Sequence, residues 1–316
     1  MTQLEVQHET HYRYTAPVSL AHHLAHLQPL QDTHQQLLRF DMDIEPLPSE
    51  RSDSRDAMGN TQRHFSLAQL HNSLRVRAIS RVRLTTRFAA LQPELSPPWE
   101  EVAARLRYVA LAPFEPALEY SLPSPYVPRL AALKDYGRPS LQPRRPVVAA
   151  ALELMQRIHS DFSYVSQSTD VDTPLTQVLQ QRRGVCQDFS HLMAGVLRMW
   201  GLPVRYVSGY LLTRSPEGGA ALQGADASHA WVQLWCPGTP GVPVDAAGAA
   251  WLDLDPTNNC VPGSGHVRLA VGRDFGDVTP LRGVIRGGGR HSLSVGVDVS
   301  TLVDSGTAVL NPSLTQ

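Results

Sequence analysis

Hydrophobic and polar residues alternate in three stretches of the first ninety residues, at 4–14, 38–45 and 74–84. Strict alternation is typical of a β-strand that has one face buried and the other face in water. Residues 56–60, Asp-Ala-Met-Gly-Asn, carry turn chemistry between two strands. The pattern therefore predicts an antiparallel β domain over residues 1–90.

Proline interrupts this pattern over residues 91–145. A Ser-Pro-Pro-Trp sequence occupies 96–99, and three more prolines lie between 123 and 128. Only short helical pieces are expected here, around 99–110 and 128–135. Long irregular connections are uncommon in compact domains, so we expect this Pro-rich connection to pack against another part of the molecule.

Hydrophobic residues with helical spacing follow in three stretches. The first begins at Pro146, which suits a first helical position, and runs to Phe162. The second begins after Asp172-Thr173-Pro174 and ends near 182–184. The third is the most regular and is closed by Gly201. Its hydrophobic face consists of Phe189, Leu192, Met193, Val196, Leu197 and Trp200.

Short β runs complete the chain after the third helix. The order of elements, first β, then α, then β again, predicts an α+β protein. We expect the last part of the chain, 146–316, to form one core that includes the C-terminal strands. The β runs are expected at 204–212, 228–236, 250–255, 266–271 and 291–299.

The composition narrows the class of protein. A chain of 316 residues is long enough for a large core, and a net charge of −1 argues against a general binder of nucleic acid or acidic membranes. The N-terminus lacks the basic start and hydrophobic run of a secretory signal, and no hydrophobic stretch approaches the roughly 18 residues of a membrane span. We therefore expect a cytoplasmic protein with no nucleic-acid or membrane partner.

Three cysteines, Cys186, Cys236 and Cys260, are too few for a disulfide framework, and no two have Cys-x-x-Cys spacing. This usage favours a reducing compartment. Cys186 stands at the start of the third predicted helix. The partial positive charge of a helix N-terminus favours a reactive thiolate, and the free N–H groups there can bind an oxyanion.

Two later strands carry an imidazole and a carboxylate. His229 lies near the start of one strand, and Asp255 ends the next, directly before a proline. Thiol catalysis needs these three groups: the imidazole accepts the proton of the thiol, and the carboxylate fixes the tautomer of the imidazole. Taken separately, each residue also has an ordinary structural interpretation, as a buried thiol, a core histidine and an Asp-Pro turn.

Three sequences in this order, GVCQDF at 184–189, SHAWVQLW at 228–235 and WLDLDPTNN at 251–259, resemble the transglutaminase-like superfamily. More specifically, the chain is similar to the bacterial transglutaminase-like cysteine proteases. The similarity includes both flanks. Tyr12-x-Tyr14-x-x-Pro17-Val18 resembles the N-terminal β region of this group, and Gly272-Arg-Asp-Phe-Gly-Asp-Val resembles its C-terminal motif.

The resemblance implies a papain/transglutaminase-like core, in which a helix carrying the cysteine packs on an antiparallel sheet carrying the histidine and the aspartate. It implies Cys186 as nucleophile, His229 as base and Asp255 as orienting acid. Asp253 points to the same face of its strand and is the second choice for the acid. The backbone N–H of Cys186 would be one oxyanion donor, and either Tyr164 or Gln187 would be the other.

The expected activity is acyl transfer on amide bonds, most simply the hydrolysis of a peptide or protein substrate. Protein-glutamine transamidation and non-catalytic peptide binding on the same fold are the alternatives. No cofactor and no metal are expected. A metal site of Cys186, His191, His229 and Asp255 is disfavoured because its spacing matches no structural zinc pattern.

Overall fold

The structure, a computed structural model, describes residues 1–302 except 108, 112, 167, 213–222 and 224–227. The end of the predicted core, 303–316, lies outside the described residues. The helices are α1 (Trp99–Ala104), α2 (Ala131–Gly137), α3 (Val147–Asp161), α4 (Leu175–Gln181), α5 (Cys186–Met199) and α6 (Phe275–Val278). The strands are β1 (Thr2–Ala25), β2 (Gln35–Glu45), β3 (Glu50–Arg55), β4 (Thr61–Leu67), β5 (His71–Leu84), β6 (Ser163–Tyr164), β7 (Arg183–Gly184), β8 (Val204–Leu211), β9 (His229–Trp235), β10 (Trp251–Leu254), β11 (His266–Gly272), β12 (Leu281–Gly287) and β13 (His291–Thr301).

A seven-stranded antiparallel sheet is organised around the long strand β1. The first half of β1 lies between β5 and β13, so that Val6 faces Ser80 on one side and Val299 on the other. The second half lies between β4 and β12. Leu4 and Val6 are buried. The alternation predicted from the sequence therefore corresponds to real strands with one buried face, and the α+β class is confirmed.

The C-terminal strands belong to this sheet, whereas the sequence grouped them with the core. β12 pairs with β1 at Val18–Ala25, and β13 pairs with β1 at Leu4–Tyr14. Alternation along a strand shows that one face is buried, but it carries no information about which edge the strand joins. β12 was not predicted at all, because most of its side chains are exposed, including Val284.

The second sheet, which carries the predicted histidine, has the antiparallel order β10-β9-β8-β11. The hydrophobic face of α5 covers one side of it, with Leu192, Val196 and Leu197 packed in the same buried cluster as Val232 and Leu234. The three predicted helices are confirmed as α3, α4 and α5. Helix α3 belongs to the same cluster through Leu154 and Ile158, which completes the layer of helices over the sheet.

The Pro-rich connection packs against α5, as its length led us to expect. It contains α1 and α2, close to the two predicted helical pieces, and buried residues such as Val127 and Leu133. A Cβ atom added to Gly195 of α5 would lie 2.8 Å from Leu133 and 3.3 Å from Val127. The connection therefore touches the backbone of the helix that begins with Cys186.

The two sheets share a buried hydrophobic cluster, which contains Leu4 and Val82 from the first sheet and Tyr210 and Val267 from the second. The Tyr210 hydroxyl also lies 3.0 Å from Nδ1 of the buried His8. The first sheet therefore supports the sheet that carries the histidine. Within the described part of the chain, no helix is long and hydrophobic enough to cross a membrane.

Candidate active site

Cys186 is the first residue of α5, and its side chain is half-buried. The start of this helix is held by Asp188, whose Oδ2 accepts the Val185 N–H at 2.8 Å and the Thr169 hydroxyl at 2.6 Å. Asp188 approaches the chain so closely that a Cβ atom on Gly184 would lie 2.7 Å from its Oδ2 and 2.9 Å from its Cβ. Gly184 therefore leaves room for the residue that fixes the helix start.

His229 and Asp255 meet where β9 begins and β10 ends. The two strands are paired, with Val232 opposite Leu254, so their neighbouring ends bring the two residues together. Nε2 of His229 lies 2.9 Å from Oδ2 of Asp255, and both side chains are fully buried. Nδ1 of His229 is also buried, and apart from the Cys186 side chain, which interacts with this imidazole, it has no partner among the described residues. That nitrogen is therefore free to take a proton from the neighbouring Cys186.

The electrostatics of this pair favour an imidazolium beside a carboxylate. Burial by itself would lower the pKa of His229, but the Asp255 carboxylate and the nearby Cys186 side chain outweigh it and raise that pKa to about 10. Burial would raise the pKa of Asp255, but His229 and His266 outweigh it and hold that pKa well below the ordinary range. An imidazolium next to a thiol stabilises the thiolate, which is the nucleophilic form.

Asp255 is surrounded by donors. Its Oδ1 accepts the backbone N–H groups of Thr257 at 2.9 Å and Asn258 at 3.2 Å. Its Oδ2 accepts the side-chain amide of Asn258 at 2.8 Å, and it lies 3.2 Å from Nε2 of His266. The contacts of Asn258 and His266 with Asp255 are not predicted from the sequence. Asn258 lies in the Pro-Thr-Asn motif that follows Asp255, but His266 begins a predicted strand that contains no recognisable motif.

Asp253 occupies a different environment from Asp255. It forms an ion pair with Arg87, and its Oδ1 accepts the indole N–H of Trp231 at 3.0 Å. Its carboxylate is thus engaged away from His229. Of the two aspartates weighed from the sequence, Asp255 is the one whose carboxylate contacts the imidazole.

The two candidates for the second oxyanion donor differ in position. The side-chain amide of Gln187 donates to the carbonyl of Val171 at 3.1 Å and is therefore already engaged. Tyr164 lies on β6 and is paired with Gly184 of β7, and Gly184 is two residues before Cys186. Because this pairing places Tyr164 close to the nucleophile, Tyr164 stays our prediction for the second oxyanion donor.

The disfavoured metal site is not assembled, because His191 is engaged elsewhere. Its Nε2 accepts the backbone N–H of Phe275 at 3.1 Å, and burial lowers its pKa to about 3. Among the described residues, a different set, Asp255, Cys260 and His266, has possible ligand atoms within 4.8 Å of one another. The Oδ2 atom of Asp255 in this set also lies within hydrogen-bonding distance of three groups, on His229, Asn258 and His266.

The environments of Cys236 and Cys260 disfavour ionisation of their thiols. Burial raises the pKa of the Cys236 thiol to about 12, and burial together with the Asp255 carboxylate raises the pKa of Cys260 to about 12. Both thiols are therefore protonated and weakly nucleophilic near neutral pH.

The raised pKa of His229 predicts how stability depends on pH. The imidazole binds its proton more tightly in the folded protein, with a pKa of about 10 against an ordinary value of 6.5. Its stabilising effect is complete below about pH 6.5 and is lost as the pH rises through about 10. As the pH rises from about 6.5 to about 10, we therefore expect the free energy of unfolding of the wild type to fall relative to that of His229→Gln. Urea denaturation at a series of pH values measures this difference. A constant difference between the two proteins would contradict the raised pKa.

Two family models match the chain. Residues 4–83 match the bacterial transglutaminase-like N-terminal region, and residues 134–256 match the transglutaminase-like superfamily. The first match lies within the sheet built on β1, and the second contains Cys186, His229 and Asp255. The similarity therefore extends over both halves of the fold.

Individual proteins are similar over different lengths. An uncharacterized protein of Mycobacterium tuberculosis is 38% identical over 302 residues, which cover 93% of this chain and 91% of the relative. A protein-glutamine gamma-glutamyltransferase of Pseudomonas aeruginosa is 32% identical over 138 residues, 43% of this chain and 19% of that enzyme. The crystal structure of "a Putative Cysteine Protease from Cytophaga hutchinsonii" superposes with a TM-score of 0.70 at 19% identity, covering 97% of this chain and 92% of that one.

Proposed function

The chain belongs to the transglutaminase-like superfamily, with the bacterial transglutaminase-like N-terminal region, and we propose that it is a cysteine-dependent hydrolase of peptide or amide bonds. Cys186 is the proposed nucleophile, His229 the base and Asp255 the orienting acid. The observation that carries the proposal is the buried 2.9 Å contact between His229 Nε2 and Asp255 Oδ2, which leaves Nδ1 of the same ring for the half-buried Cys186 thiol.

The first half of the proposed reaction forms an acyl-enzyme. The Cys186 sulfur attacks the carbonyl carbon of the substrate, while His229 holds the thiol proton as an imidazolium. Negative charge collects on the carbonyl oxygen, where the backbone N–H of Cys186 at the helix start can donate to it. When the tetrahedral intermediate collapses, the C–N bond breaks and the imidazolium gives its proton to the leaving amine.

The second half releases the acyl group. His229 takes a proton from an incoming water, whose oxygen attacks the thioester carbon, and the C–S bond breaks to regenerate the Cys186 thiolate and a carboxylic acid. Asp255 does not exchange protons in either half. It holds the imidazole in one orientation and stabilises its charged form.

Transamidation is the second candidate, in which an amine replaces water as the acceptor. It is favoured by the stretch of 138 residues shared with the Pseudomonas aeruginosa glutamyltransferase. The steps up to the acyl-enzyme are identical, so only the product distinguishes the two reactions. Mass spectrometry of a peptide mixture incubated with an added amine separates them, because hydrolysis adds water to a fragment and transamidation joins the amine. No change in the wild type relative to Cys186→Ala would support a non-catalytic peptide-binding protein.

Selective alkylation tests the proposed nucleophile without a known substrate. Iodoacetamide at about pH 7.5 should label Cys186 at least about a hundredfold faster than Cys236 or Cys260, since thiols with a pKa of about 12 are almost wholly protonated there. His229→Ala should slow the labelling of Cys186 about tenfold, because without the imidazolium an ordinary thiol with a pKa of about 8.5 is only about one-tenth ionised at this pH. Equal labelling of the three thiols in the folded wild type would contradict an activated thiolate.

A further inference from the structure

A second histidine contacts the carboxylate that orients His229. His266, the first residue of β11, has its Nε2 3.2 Å from Oδ2 of Asp255. The same oxygen lies 2.9 Å from Nε2 of His229. Two imidazoles from two different strands therefore converge on one carboxylate oxygen, and His266, like the pair itself, is buried.

The chemistry of the carboxylate assigns a tautomer to His266. Asp255 is ionised, because the donors around it hold its pKa well below the ordinary range. An ionised carboxylate can only accept hydrogen bonds, so Nε2 of His266 carries a proton and donates it. His266 therefore stabilises the carboxylate form of Asp255 and anchors the oxygen that faces His229.

The His266 ring also packs against an aromatic side chain of the neighbouring core. Trp231 meets the ring edge to face, with centroids 5.4 Å apart and planes at 86°. The indole N–H of Trp231 donates to Asp253, which is paired with Arg87. Asp253, the second choice for the acid, thus bonds the tryptophan, and the tryptophan packs against the second histidine.

We propose that His266 is a positioning residue for the reaction of Cys186. It acts through Asp255, keeping the carboxylate ionised and Oδ2 directed at His229, and it does not contact the substrate. Removing its N–H would leave Oδ2 with the donors from His229 and Asn258, while Oδ1 keeps its two backbone donors, and the carboxylate form would lose part of its stabilisation. The inference rests on the proposed function of Cys186, His229 and Asp255.

A double-mutant cycle tests this role. His266→Phe keeps a planar ring against Trp231 but has no donor, and we expect it to slow alkylation of Cys186 by iodoacetamide about tenfold, the usual effect of a hydrogen bond to a charged group. His266→Gln can still donate an N–H and should retain most of the wild-type rate. In the Asp255→Asn background, His266→Phe should add no further loss, because the residue acts through that carboxylate. With a turned-over substrate, kcat should fall in His266→Phe while KM stays unchanged.

Two results would overturn the proposal. One is an equal loss in the Gln and Phe variants, and the other is the same tenfold loss in the Asp255→Asn background as in the wild type. If His266→Phe does not fold, His266→Leu replaces it, and equal rates for the Leu and Gln variants would again overturn the proposal. His8→Phe is the matched control, because His8 is buried to a similar degree and is bonded to Thr10 and Tyr210, not to Asp255.

The wild type separates this inference from the proposed function. If Cys186 of the wild type is labelled no faster than Cys236 and Cys260, the proposed function itself fails. If Cys186 is labelled selectively and His266→Phe is labelled at the wild-type rate, the function stands and the role of His266 is refuted. Thermal unfolding of each variant, followed by circular dichroism, verifies that the compared proteins are folded.

Discussion

Replacing Asp255 by asparagine should lower kcat/KM more than the same replacement of Asp253. Where no substrate is yet available, the alkylation rate of Cys186 serves as the measurement. The carboxylate stabilises the imidazolium form of His229 and keeps Nδ1 directed at the thiol. An amide can present an N–H to Nε2, which selects the wrong tautomer and leaves Nδ1 protonated. Loss of the corresponding carboxylate in such a triad costs about 10⁴-fold in turnover, and we expect a loss of that order in turnover here. The alkylation rate should fall by about tenfold at most, because an ordinary thiol is already about one-tenth ionised near pH 7.5.

Asp253→Asn is the matched control for this substitution, since it makes the same chemical change two residues away. Asp253 is bonded to Arg87 and Trp231, so its loss leaves a partly buried guanidinium unpaired. We expect a lower unfolding temperature and a much smaller loss of turnover per folded molecule than in Asp255→Asn. An equal loss in folded Asp253→Asn would mean that the acid had been assigned to the wrong aspartate.

Replacing Gly209 by alanine should destabilise the protein by about 3 kcal/mol, the upper end of the usual cost of overpacking a core. A Cβ atom at this position would lie 2.3 Å from the ring of Trp231 and 2.3 Å from the carbonyl oxygen of Val267. Neither can yield easily, because Trp231 is fully buried and bonded to Asp253, and Val267 is part of β11. Urea denaturation measures the effect.

The Gly209→Ala substitution also tests how firmly the proposed base His229 is held. It lies opposite His229 in the pairing of β8 with β9, so a shift of Trp231 or of either strand would move the proposed base. Gly296→Ala is the control, because a Cβ atom there meets nothing within 4 Å and the residue also lies in a strand. A Gly209→Ala protein as stable as Gly296→Ala would show that the core around Trp231 can rearrange at little cost.

The hydrophobic periodicity of the sequence predicted most of the helices and strands, because it shows that one face of the element is buried. The spacing of Leu192, Val196 and Leu197 predicted α5, and that helix presents those residues to the sheet. The alternation in 4–14 predicted part of β1 for the same reason. The strand β12 escaped prediction because its exposed side chains leave no alternation to detect.

The sequence by itself determined which residue types could do thiol chemistry, since a cysteine at a helix start and the His-Ala-Trp and Asp-Pro-Thr motifs are local features. The tertiary structure decided which groups touch. Alternation places Asp253 and Asp255 on the same face of a strand, and the resemblance favoured Asp255; the structure shows that Asp255, just beyond the end of β10, contacts His229, whereas Asp253 is bonded to Arg87 and Trp231. His266 meets Asp255 although β10 and β11 are the opposite edge strands of their sheet, and β13 joins β1 across nearly the whole chain. Such contacts depend on strand order and edge pairing, and periodicity along a single strand contains no information about either.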